Sequence, residues 1–248
     1  MRKLLVIIPA YNEEKSIVST VEDLRKKTEF DYLVIDDGST DQTWQVCLKN
    51  NYPVLHFDEN KGLGCVFQKA IQYALEHGYD AIAQFDADGQ HRCVDLLNLV
   101  KLYEEETTDV YIGVRCLKGM EKWTPRAIGS KLIRICIYLK TGIKLKDPTS
   151  GLRIFGEGVM HRYLQGDFKR PEPDMLTKLL LEGYVFRESP IIVKKRKYGE
   201  SFLKGFNGFR FVVDICMSIL KTSKRKHTIR EREMQNGKNK SQFDSSGL

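Results

Sequence analysis

The stretch DAIAQFDADGQHR, Asp80 to Arg92, sets a short apolar run directly against Asp86, Asp88 and Gln90. A brief apolar run bounded by polar residues predicts a buried strand. In extended chain, residues i, i+2 and i+4 share one side. Asp86, Asp88 and Gln90 are therefore expected to project their oxygens into one space. The design recurs twice upstream: LLVIIPA runs into Tyr11, Asn12, Glu13 and Glu14, and YLVID into Asp36, Asp37, Gly38 and Ser39.

Helical patterns fill the intervals. EEKSIVSTVEDLRKK repeats Ile17, Val18, Val21 and Leu24 on one face. STDQTWQVCLKN predicts a second helix, with Ser39 or Thr40 as N-cap and Asp41 in its first turn. PVLHF predicts a third strand, and KGLGCVFQKAIQYALEHGY a glycine-rich turn and a helix ending near Gly78. Strands alternating with helices of this length predict an α/β fold, a mostly parallel sheet flanked by helices. Ligands in such sheets bind at the carboxyl ends of strands, where all three acidic clusters fall. Acids crowded on one edge repel unless a cation or hydrogen-bond donors compensate them. Hard oxygen ligands suit Mg²⁺ or Mn²⁺. No GxGxxG follows the first strand and no GxxxxGK[ST] occurs, which argues against a dinucleotide-binding or P-loop protein.

The 248 residues, 42% hydrophobic and 29% charged, fit a soluble globular chain. No apolar run approaches the roughly 18 to 20 residues of a membrane-spanning helix. The start, MRKLLVIIPAYNEE, is read as a first strand rather than a leader. Six cysteines, at 47, 65, 93, 116, 136 and 216, form no CxxC pair and are expected as small core residues in a reducing cytosol. The segment from Lys221 carries eight Lys/Arg against three acids, +5 of the net +7, without apolar periodicity. Residues 1–220 are thus expected as one catalytic domain and 221–248 as a basic, disordered tail.

PAYNEE (9–14), VIDDGSTD (34–41), NKGLG (60–64), DADGQH (86–91), DPTSGLR (147–153) and RKYGES (196–201) occur in that order. Together they resemble the family 2 inverting glycosyltransferases of GT-A fold, nearest the polyprenyl-phosphate branch typified by dolichol-phosphate mannosyltransferase. The resemblance covers about residues 1 to 205. It implies that Pro9 and Tyr11 flank a nucleotide base, Glu13 reaches the nucleoside and Asp37 hydrogen-bonds the base. Asp86 then contacts the nucleoside or the metal, and Asp88 with Gln90 binds the Mg²⁺ or Mn²⁺ that bridges the diphosphate. Arg115, Arg126 and Arg196 match arginines placed on phosphates, a task that suits a bidentate, permanently charged group. Ser150, Gly151, Arg153 and Ser201 fall on the acceptor side. Asp174, with Glu172 beside it, stands where relatives carry an acid ahead of a helix. A hydroxyl acceptor needs such a base, and an ionised phosphate does not.

The function implied is metal-dependent, inverting transfer of a sugar, from a UDP-sugar by preference, to a polyprenyl phosphate at the cytoplasmic face of the membrane. Two basic amphipathic stretches, Ala127–Leu145 and Gly205–Lys221, suit an interfacial position. A separate small membrane protein is a candidate partner and a homo-oligomer a possible assembly. Relatives often carry membrane helices after the catalytic domain, and none follows here. Two alternatives stand beside this reading: transfer to a hydroxyl of a lipid-linked glycan or polysaccharide, and a non-enzymatic basic nucleic-acid-binding protein. The second leaves the acidic clusters unexplained, so no nucleic-acid partner is expected.

Overall fold

The structure, a computed structural model, describes residues 2–106, 108–116, 125–166, 168, 170–194 and 205–223, without the side chains of 125, 126 and 205–207. Of the basic tail, residues 224–248 lie outside the described residues. The described strands are β1 (Leu4–Ala10), β2 (Asp31–Asp36), β3 (Val54–His56), β4 (Ala81–Gln84), β5 (Val110–Arg115), β6 (Arg153–Gly156) and β7 (Phe186–Ile191). They form one sheet in the order β3-β2-β1-β4-β6-β5-β7. Every neighbouring pair is parallel except those of β6, which runs antiparallel to β4 and β5. The parallel strands therefore end on one edge, and β6 begins there.

Helices cover both faces: α1 (Ile17–Lys27), α2 (Thr43–Lys49), α3 (Leu63–Glu76), α4 (Cys93–Glu105), α5 (Pro125–Thr141), α6 (Glu157–Leu164), α7 (Pro173–Leu181) and α8 (Gly205–Lys221). The unbroken apolar run of β1 follows from this. Leu5 and Ile7 enter one core with Phe67, Phe155 and Leu176. Leu4, Val6 and Ile8 enter the other with Val21, Leu24 and Leu96. A strand buried on both faces has no polar side to alternate with.

Three expectations need correction. Of the six cysteines expected in the core only Cys47 and Cys93 are buried, while Cys65 and Cys116 are exposed. Helix α2 starts at Thr43, not after Ser39 or Thr40. Ser39 Oγ instead bonds Asp36, and the Thr40 N–H donates to Asn12 Oδ1 at 2.8 Å. Asp41 accepts the Thr43 N–H at 2.9 Å, so the first turn is tied one residue before the helix cap. Strand β4 ends at Gln84, four residues earlier than the apolar pattern suggested. Asp86 to Gln90 form a turn, with Gly89 at φ +71°. The pleat therefore does not align Asp86, Asp88 and Gln90; turn geometry places them.

Gly38 fixes the neighbouring turn. Its φ is +65°, and a Cβ there would sit 2.2 Å from the backbone carbon of Glu59. Backbone cannot swing aside as a side-chain tip can. Gly38→Ala should therefore destabilise the fold by about 3 kcal/mol or more, combining positive-φ strain with a backbone overlap. Denaturant unfolding of the variant against the parent checks this.

Candidate active site

The first two loops at the carboxyl edge are laced together. Asn12, at φ +55°, accepts N–H bonds from Thr40 and Asp41 through Oδ1. Its own N–H donates to Ser39 Oγ at 2.9 Å. The Glu13 N–H donates to Thr43 Oγ1 at 2.8 Å, and Ser16 Oγ donates to the Glu13 carboxylate. Pro9 lies in β1 opposite Ile35, and Tyr11 projects outward at 45% exposure. Asp36 is fully buried and meets His56 Nδ1 at 2.6 Å, with the His56 ring stacked on Trp44 at 4.0 Å.

Asp37 holds the β3–α3 loop. Its Oδ1 accepts the Lys61 N–H at 2.8 Å, and its Oδ2 the Gly62 N–H at 2.9 Å. Desolvation pushes its pKa up despite both bonds. The side chain expected to bond a base thus also organises the loop around it.

Asp86 sits at the centre of the edge. Gln84 Nε2 donates to its Oδ1 at 3.1 Å, and His91 Nε2 meets its Oδ2 at 3.1 Å. Desolvation in this recess pulls the pKa up. The His91 bond and charge, the Gln84 amide and the charge of Arg153 outweigh it and hold the carboxyl below its usual range. The Asp86 side chain is nevertheless 37% exposed, whereas that of Asp36 is 0% exposed, so Asp86 keeps accessible oxygen. His91 is buried with Nδ1 lacking a partner. The sequence reading gave His91 no role, although it stands inside the motif.

Asp88 accepts the Gln90 N–H at 3.0 Å, and Gln90 Nε2 donates to the Lys194 carbonyl at 3.1 Å. Among the described residues, no group of three His, Cys, Asp or Glu side chains forms a metal cage. Asp86, Asp88 and the Gln90 amide offer oxygen donors on one turn. That fits Mg²⁺ or Mn²⁺ sharing its coordination with substrate phosphates, and does not fit a closed structural site.

The DPTSGLR segment crosses this centre. A Cβ on Gly151 would lie 2.0 Å from Asp86 Oδ2, so glycine is what lets the backbone approach the carboxylate. Both ends of the segment are anchored. Arg115 grips Asp147 through Nε at 2.6 Å and one terminal nitrogen at 2.7 Å, and the latter also reaches Thr149 Oγ1. Desolvation opposes the Asp147 charge, yet Arg115 holds that carboxyl below its usual 3.8. Arg153 is buried and donates to the carbonyls of Pro171 at 2.6 Å and Pro148 at 2.8 Å. Ser150 is 1% exposed and its Oγ faces the Leu152 N–H at 3.4 Å.

Burial of Glu172 raises its pKa, against the pull of Arg153. Asp174 opens α7 and accepts the Ser218 hydroxyl at 2.7 Å, tying α7 to α8. Arg196, Ser201 and the side chain of Arg126 lie outside the described residues. The structure thus brings Asp86, Gly151 and Arg153 together. It gives Arg115, Ser150 and Asp174 partners within the protein that sequence alone did not supply.

A seven-stranded sheet with one reversed strand and an acidic, metal-compatible carboxyl edge defines a GT-A-type glycosyltransferase. The profile described as Glycosyl transferase family 2 matches residues 5–164, and the chain belongs to that family. It is 32% identical over 216 residues to an undecaprenyl-phosphate mannosyltransferase of Micrococcus luteus, covering 82% of this chain and 88% of that one. It is 29% identical over 177 residues to a UDP-N-acetylglucosamine–dolichyl-phosphate N-acetylglucosaminyltransferase of Methanococcus voltae, covering 63% and 70%. The fold matches glucosyl-3-phosphoglycerate synthase of Mycobacterium tuberculosis, solved with Mn²⁺, UDP and phosphoglyceric acid. That match has TM-score 0.67 and 16% identity, over 90% of this chain and 80% of that one.

Two outcomes follow from the segment and its anchors. Asp147→Asn leaves the buried Arg115 without its counter-charge and should cost about 3 kcal/mol of stability near neutral pH. The depressed Asp147 pKa means its pairing stabilises the fold above pH 3.8 and is lost as pH falls through the native value. Urea unfolding at neutral and acid pH should show the two proteins converging in acid. Gly151→Ala should leave the fold intact and displace Asp86, weakening metal-dependent nucleotide binding at least tenfold. A thermal-shift titration with UDP, with and without Mn²⁺, reads that loss.

Proposed function

We propose that the chain transfers a sugar from a UDP-sugar to a polyprenyl phosphate at a membrane surface, inverting the anomeric carbon. The single observation that carries this is the juxtaposition of Asp86 with Gly151: the carboxylate of the nucleotide edge touches the segment on the acceptor side. The named relatives that act on undecaprenyl and dolichyl phosphates support the acceptor class. The neighbour solved with Mn²⁺ and UDP supports the donor class.

In this reading an acceptor phosphate oxygen attacks the anomeric carbon as the bond to the nucleoside diphosphate breaks on the opposite face. A divalent cation held by Asp86, Asp88 and Gln90 would neutralise charge growing on the leaving diphosphate. Asp37, with the Lys61 and Gly62 loop it fixes, would frame the base beside Pro9, Tyr11 and Glu13. Arg126 and Arg196 are proposed to contact phosphate oxygens. Arg115 contributes by pinning Asp147, and Arg153 by pinning the carbonyls of Pro148 and Pro171. The segment carrying Ser150 and Gly151 is thereby held against Asp86. An ionised phosphate nucleophile has no proton to lose. The engagement of Asp174 with Ser218 is consistent with that, because no free base is required of it.

Membrane contact is proposed through α5 and α8. Each buries one side, through Ile133 and Ile137 and through Ile215 and Ile219, and exposes apolar residues on the other. No helix among the described residues is long and apolar enough to cross a bilayer. A peripheral position on the cytoplasmic face is the corresponding localisation.

Asp88→Ala should keep its fold and lose at least a hundredfold in transfer of radiolabelled sugar from a UDP-sugar to polyprenyl phosphate, the scale of a lost charge-stabilising group. Transfer at the parental rate would refute the metal assignment. Equal activity on a hydroxyl acceptor alone would refute the phosphate assignment.

A further inference from the structure

Between α7 and α8 lies a cavity of about 320 Å³, lined by Phe168, Arg170, Lys178, Ser218, Lys221 and Thr222 around Asp174. Three cations face one carboxylate there, and that carboxylate already accepts the Ser218 hydroxyl and the Met175 N–H. Aromatic faces flank two of the cations: Lys178 Nζ lies 5.4 Å from the Phe168 ring centre, and Arg170 Cζ 5.8 Å from that of Phe211.

The C-terminus of α8 also opens here, and exposed carbonyls at a helix end repel an anion. Three of these carbonyls, those of Ser218, Ile219 and Leu220, have donors. The Ser218 carbonyl takes the Thr222 N–H and hydroxyl, at 3.0 and 2.9 Å. The Leu220 carbonyl takes Lys140 Nζ at 2.8 Å. The Ser218 and Thr222 hydroxyl protons are donated within the protein, so what remains for a phosphate is the charge of the three cations set against one carboxylate.

Its surroundings say what the phosphate is attached to. Beside the cavity α8 exposes Met217 and Leu220, and α5, which packs on α8, exposes Leu139. Exposed Leu220 directly precedes the lining residue Lys221, so apolar surface adjoins the positive recess. We propose that this cavity binds the phosphate headgroup of a membrane lipid whose apolar chains lie along the exposed side of α5 and α8. Asp86 is not among the residues that line it, and a lipid held there would seat the protein on the bilayer with α7 beside it.

The inference rests on the membrane-surface reading above, but not on catalysis, because lipid binding needs no nucleotide-sugar. The full chain would be titrated with phosphatidylcholine vesicles with and without phosphatidic acid, and binding read by co-flotation. The expected result is binding only with phosphatidic acid. Arg170→Gln with Lys178→Gln should weaken it about 25-fold, roughly fivefold per cation removed. Lys221→Gln alone should weaken it about fivefold, at an exposed helix end that leaves the fold intact. A control with the same charge change, Lys26→Gln with Lys49→Gln on α1 and α2, should bind as the parent does.

Equal weakening by both double variants would reduce the effect to general charge attraction and overturn the site. Binding to neutral vesicles as tight as to acidic ones would overturn it too. Release from vesicles by millimolar inorganic phosphate would show a site for the free anion and overturn the lipid. Intact headgroup binding beside absent sugar transfer would sink the transferase reading alone, and the reverse pattern would sink this one alone.

Discussion

Negative charge gathered on one edge of a sheet must find a donor for each oxygen withdrawn from water, and the whole carboxyl edge is arranged to meet that requirement. Asp36 takes Ser39 and His56, Asp37 takes two backbone N–H groups, Asp86 takes Gln84 and His91, and Asp147 takes Arg115. Each of these bonds joins two segments distant in the chain or fixes a turn between them. The compensation of charge and the shaping of the loops are one set of contacts. A carboxylate left buried without such partners would take up a proton or force the loop open.

The reversed strand β6 extends this arrangement across the sheet. Because β6 begins where its neighbours end, the DPTSGLR segment leading into it passes over the carboxyl edge. Arg153, first in β6, pairs across the ladder with Gln84 and Ile112. Its guanidinium reaches carbonyls on both flanking turns. Desolvation lowers its pKa, and the nearby charges of Glu172, Asp147 and Asp86 work the other way. The antiparallel strand is thus the device by which the loop from Asp147 to Leu152 and the Asp86 carboxylate come into contact.

Much of this was legible in residues 4 to 90. Continuous apolar runs marked strands buried on both faces, and acids at their ends marked the edge, because burial and solvation act on individual side chains. The strand end at Gln84 was not legible: Phe85, whose N–H still donates to the Ile7 carbonyl at 3.0 Å, and Ala87 are as apolar as strand residues, and only the turn through Gly89 ends the strand. The start of α2 was misplaced for a related reason. Ser39 and Thr40 are good caps locally, but Asp36 and Asn12 compete for their groups with better geometry.

The sequence by itself determined the class of fold, the edge that carries the chemistry and the family to which the chain belongs, since each depends on the order and type of residues along the chain. Only the tertiary structure decided which charges are already spent. Arg115 and Asp174 read as groups available to substrate, and folding gives them Asp147 and Ser218, which lie 32 and 44 residues away. Gly151 was expected on the acceptor side with no contact to Asp86, and folding lays it on that carboxylate. The physical reason is that hydrogen bonds and ion pairs are short-ranged: they depend on which atoms arrive within about 3 Å of one another, and chain order does not fix that.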